Sequence, residues 1–92
     1  MGRDHKLYKR LMSSAYLQDE PIPGQPLIEI VGNCRVLIER HLGITEYGKE
    51  KIVIKTRQGH ISVSGMGLEL ISITKSQLVI KGTIYGVSII RE

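Results

Sequence analysis

Ninety-two residues, 24% charged and 41% hydrophobic, fit one domain with a single modest core and leave no room for a second. The single cysteine, Cys34, excludes an intrachain disulfide, suits a reducing compartment and reads as a small buried apolar residue. The net charge of +4 divides as four basic against three acidic residues in 1–26 and nine against six in 27–92, so it forms no basic tail. No stretch of about 18 apolar residues could span a bilayer, and the start of the chain lacks the apolar core of a signal peptide, so the expected location is the cytosol.

Residues 1–20 read as a basic amphipathic helix. Leu7, Tyr8, Leu11, Met12, Ala15 and Tyr16 recur at helical spacing over 4–18, with Asp4 placed to cap the first turn. A helix of about 15 residues is marginal alone and needs a seat. One seat is the rest of the chain. Another is an anionic membrane surface, with Leu7, Leu11 and Met12 inserted and Lys6, Lys9 and Arg10 near the headgroups, which would make the chain peripheral to a membrane. Residues 21–26, with three prolines, form a semi-rigid connector.

From residue 27 to 92 the pattern changes to period two. Ile28 and Ile30, Val36 and Ile38, Ile52 and Ile54, Ile61 and Val63, Leu68 and Leu70, Leu78 and Ile80, and Val87 and Ile89 each alternate with other residues, predicting about seven strands with one buried face. Short turn signals lie between them at His41–Gly43, Tyr47–Glu50, Arg57–Gly59, Gly65–Gly67 and Thr74–Gln77, too short for crossover helices. The expected architecture is an all-β antiparallel meander rolled into a compact two-layer sandwich or open barrel. The alternation slips between Leu70 and Ile71, which predicts a bulge, and Gly82 and Gly86 predict a bend in the last strand. Lys51–Arg57 resembles Gln77–Thr83 at an offset of 26 residues (79 − 53 for the paired valines), which offers a small β-solenoid as the alternative. Leu37, Val53 and Val79 fall on the face opposite the alternating aliphatics, and burying each would gain about 1.5–3 kcal/mol. They form a candidate apolar contact face for the helix, a second sheet or a partner protein.

Catalytic chemistry is not visible. His5, His41 and His60 lie in different elements, no His, Cys, Asp and Glu set has zinc-like spacing, and no serine occupies a Gly-x-Ser-x-Gly elbow. Glu39 and Glu46 could meet across the His41–Gly43 turn, but hairpins commonly carry such pairs for solubility. No glycine-rich phosphate loop leads from a strand into a helix. The expectation is a non-enzyme without cofactor or metal. Lys51, Lys55 and Lys81 could touch phosphates, yet with no Phe or Trp and only Tyr47 and Tyr85 in the β region, base stacking is mostly lost, which argues against nucleic acid.

Pro26–Gly32, the stretch Ile38-Glu39-Arg40-His41-Leu42-Gly43-Ile44-Thr45-Glu46-Tyr47, then Gly59–Gly65 and Leu78–Ile84 resemble the YabP/YqfC family of sporulation proteins, the YqfC branch most closely. The likeness covers Pro26 to the end of the chain. Arg40 stands where members often have Asn, and Ile89-Ile90 where an aromatic is common. The resemblance implies a small non-enzymatic protein of the mother cell of an endospore-forming bacterium, frequently encoded beside a membrane-bound sporulation protein. It singles out Glu39, His41, Gly43 and Tyr47. The expected role is an interaction module binding a membrane-associated sporulation partner or itself, against a self-assembling structural protein or a single-strand nucleic-acid binder.

Overall fold

The computed structural model describes residues 25–92. The helix expected over 4–18 and most of the connector lie outside the described residues. The six strands are β1 (Leu27–Val31), β2 (Arg35–Glu39), β3 (Ile44–Tyr47), β4 (Lys51–Thr56), β5 (Gly59–Ile73) and β6 (Gln77–Arg91). They form one antiparallel, unclosed sheet in the order β1-β2-β6-β5-β4-β3.

The all-β antiparallel expectation holds, with three corrections. The strands form one open sheet, so the expected two-layer sandwich is not found. Six strands replace seven, because Ile61/Val63 and Leu68/Leu70 belong to one 15-residue strand and Leu78/Ile80 and Val87/Ile89 to another, while β3 escaped the alternation pattern. The meander holds only from β3 to β6, since β2 pairs with β6 and not with β3. Antiparallel neighbours within one sheet also exclude the solenoid. Lys51–Arg57 and Gln77–Thr83 look alike because β4 and the first half of β6 both flank β5 and both turn two aliphatics inward, Ile52 and Ile54 in one, Leu78 and Ile80 in the other.

The inward face holds Val36, Ile38, Ile52, Ile54, Ile61, Val63, Leu68, Leu78, Ile80 and Ile84, all buried. Each contributes about 1.5–3 kcal/mol relative to exposure, which makes this stripe the main stabilising feature. Bending of the β5–β6 hairpin gathers it into one cluster. Its register shifts between Ser64 and Gly65, between Met66 and Glu69, and between Leu70 and Ser72, the last being the predicted bulge. At the first two, β5 and β6 approach so closely that a Cβ on Gly65 would run into the carbonyl of Thr83, and one on Gly82 would lie 2.9 Å from that of Gly67. Gly65–Gly67, expected as a turn, is therefore a bend within a continuous strand.

The curl of the sheet follows from one short link. In a flat sheet β2 and β3 would stand four spacings apart, about 19 Å. The five Cα steps from Glu39 to Ile44 reach about 17–18 Å at full extension. Residues Arg40–Gly43 are not extended: Arg40 has φ 64° and Gly43 φ 114°. The sheet must therefore roll to bring its β2 and β4 regions together. Hydrogen bonds record the closure: Arg40 N to Ser76 O at 2.6 Å, Leu42 N to Lys55 O at 2.8 Å and Lys55 N to Gly43 O at 2.8 Å.

Candidate functional site

The family-like stretch forms this link. His41 is 7% exposed, and its ring ties two elements together. The Gly43 N–H donates to Nδ1 at 3.0 Å, so that nitrogen carries no proton, and Nε2 then donates to the carbonyl of Thr74 at 3.0 Å, in the β5–β6 turn. Gly43 takes a φ that side chains rarely adopt while serving both His41 and Lys55. Glu39 ends β2 between Leu27 of β1 and Gln77 of β6. Tyr47, at the end of β3, is 57% exposed, and its hydroxyl accepts the Leu70 N–H at 3.2 Å. The four motif residues thus line no common pocket. Glu39 and Glu46 sit on strands that are not neighbours, so the expected hairpin pairing across His41–Gly43 is overturned.

A different feature stands open. β2 covers β6 only from Gln77 to Lys81, and Gly82 and Ile84 donate to Cys34 O and Asn33 O in the β1–β2 turn. From Gly86 to Arg91, β6 pairs with β5 on one side, with Tyr85 the extra residue at the register shift, and from Tyr85 onward no described strand lies on the other side. Ile89 is 68% and Tyr85 66% exposed, and Ile90 is half exposed. Beside this edge lies an apolar cleft of about 100 Å³, walled by Pro26 and Ile28 on one side and Ile89 and Ile90 on the other, with Ile61 in its lining. Gln58 also lines it, and its buried Oε1 has no hydrogen-bond partner among the described residues.

The model of the YabP family matches residues 24–91, spanning the link, the open edge and all six strands. The chain belongs to the YabP family. This is a sporulation-associated family, and the YqfC branch rests on the motif resemblance alone. No curated protein and no solved structure matches the chain.

In this YabP-family domain the expected contact face is not one patch. Leu37 and Val79 are register partners on β2 and β6, whereas Val53 lies on β4. Val79 faces Ser72 and Val53 faces Ser62, near opposite ends of β5, and all three aliphatics are half-buried. Lys51 and Lys55 share the outer side of β4, while Lys81 lies on β6 opposite Glu69, so the three lysines make no continuous basic track. Cys34, expected buried, is exposed in the β1–β2 turn because the strand pair reverses there. Among the described residues no three His, Cys, Asp or Glu side chains gather as a cation site, and no helix is long and apolar enough to cross a membrane. The edge residues Tyr85, Ile89 and Ile90 were missed as candidates. Their signal was the run Thr83–Ile90, eight residues without charge at the end of a basic chain.

Proposed function

We propose that this YabP-family protein is a non-enzymatic interaction module of sporulation. It acts in the mother-cell cytoplasm, peripheral to a membrane, and binds a membrane-associated sporulation protein or a second copy of itself. The observation that carries this reading is the outer edge of β6, which no described strand covers from Tyr85 to Arg91 and which carries no charge before Arg91, with Ile89 and Ile90 exposed beside an apolar cleft. Natural sheets guard such edges with charge, proline or a covering element, because unpaired backbone groups beside aliphatics recruit another chain. The described surface offers no comparably assembled chemistry: the motif histidine is consumed in holding the link, and the carboxylates lie apart. Support for the membrane-associated partner comes from the family resemblance.

Coexpression with the neighbouring membrane-bound sporulation protein, followed by affinity capture in mild detergent, tests the reading. Co-retention of the two proteins is expected, weakened by Ile89→Lys. If neither retains the other and the chain shows no self-association, the reading fails.

A further inference from the structure

We infer that the open edge of β6 pairs with the same edge of a second copy, antiparallel about a two-fold axis through Ser88, giving a closed dimer whose sheet continues from one chain into the other. This rests on the interaction-module reading and names its partner.

The register follows from the limits of the free edge. Gly82 and Ile84 are occupied by the β1–β2 turn, and the strand ends at Arg91, so the stretch that no described strand pairs on this side is Tyr85–Arg91, with Ser88 at its centre. An antiparallel strand laid against its own copy matches residue i with 176 − i, since 88 + 88 = 176. Val87 then meets Ile89, on the side that faces Val63 and Ile61 in β5. Ile90 meets Gly86 on the other side, where the glycine leaves room for the larger side chain. The regular register runs from Gly86 to Ile90; past it Arg91, the only charged residue of the stretch, comes beside the bulged Tyr85, whose ring can take a guanidinium on its face. No like charges oppose one another, whereas opposed like charges are a usual way a strand is kept from pairing with itself.

The other free edges differ on this point. β1 carries Glu29, β3 carries Glu46 over only four residues, and the outer half of β5 carries Glu69. The two-fold also limits growth: both copies use the same edge, and pairing consumes it, so the assembly stops at two.

Sedimentation velocity and light scattering on the full chain, from about 1 µM to 1 mM, test this. The expected species is twice the 10.3 kDa chain mass, dissociating on dilution. Ile89→Lys and Ile90→Lys place charge on the edge at exposed positions and should leave 10.3 kDa monomers with an unchanged far-ultraviolet spectrum. Ile30→Lys on β1, 51% exposed, should leave the dimer intact. A monomer across the whole range overturns the inference, as does a dimer indifferent to both β6 substitutions, or mass that keeps growing with concentration. A monomeric chain that still captures the membrane protein overturns the dimer while the interaction reading stands; a monomer that captures nothing removes both.

Discussion

At the scale of single residues, the family-like stretch is first a structural clamp. His41 satisfies the Gly43 N–H and the Thr74 carbonyl from one buried ring, so truncation removes two hydrogen bonds and opens a hole at the end of the core. His41→Ala should cost about 2–4 kcal/mol in urea unfolding. A loss below about 0.5 kcal/mol would mean that Lys55 and Ser76 hold the link without it. Arg40 carries the opposite sign. Its φ of 64° lies in the left-handed region, where Cβ crowds the following carbonyl oxygen and Asn, whose short amide can bond locally, is better tolerated. Its Nη1 donates to Gln25 O at 3.0 Å in an exposed setting, a contact of small worth. Arg40→Asn should therefore raise the thermal midpoint by about 2–5 °C, and a lowered midpoint would show that the tether to Gln25 outweighs the strain. The sequence marked position 40 as unusual. Only the backbone angle explains why.

At the scale of elements, the β5–β6 hairpin decides the shape. Two 15-residue strands of this length would make a long flat ribbon, and the register shifts opposite Gly82 and Gly86 fold it so that Leu68 and Ile84 join the core. Gly65→Ala should cost about 2–3 kcal/mol, because its methyl group meets the rigid Thr83 carbonyl and Leu68 Cδ2 at 2.9 Å. Gly48→Ala, with its nearest neighbour at 3.4 Å, serves as the control and should change denaturant stability little. Equal effects at both positions would argue that the bend tolerates a wider separation of its strands. The slip after Leu70 and the bend near Gly82 and Gly86 were legible because period two exposes any extra residue. The splitting of two strands into four was legible only as an error, since Gly65-Met66-Gly67 has the composition of a turn and the geometry of a bend.

At the scale of the whole molecule, β2 reaches across the chain to β6, with Arg35 opposite Lys81 and Glu39 opposite Gln77. Pairing this remote in sequence cannot form hairpin by hairpin, so β1 and β2 find their place only after the β5–β6 hairpin exists, and folding should be slow for the size. The same arrangement leaves the outer edge of the second half of β6 without a described strand, because β2 has only five residues to pair with a 15-residue strand. If two copies join there, association stabilises the folded state by mass action. The thermal midpoint should then rise with protein concentration in the wild type and stay fixed in Ile89→Lys. A wild-type midpoint constant over about a hundredfold range of concentration would contradict that coupling.

The sequence by itself determined the all-β class, the inward-facing aliphatics, the bulge and the family, because side-chain alternation and short motifs are local properties of the chain. It did not determine which strands are neighbours. Seven alternating runs are compatible with many orders, and a four-residue link looks like a hairpin turn until its ends are seen bonded to Ser76 and Lys55. The tertiary structure alone decided that β2 crosses to β6, that His41 is sealed inside the link, and that the outer side of Tyr85–Arg91 has no strand beside it among the described residues. Strand pairing is a long-range choice made by the packing of the whole core, and an open edge is what that packing leaves over.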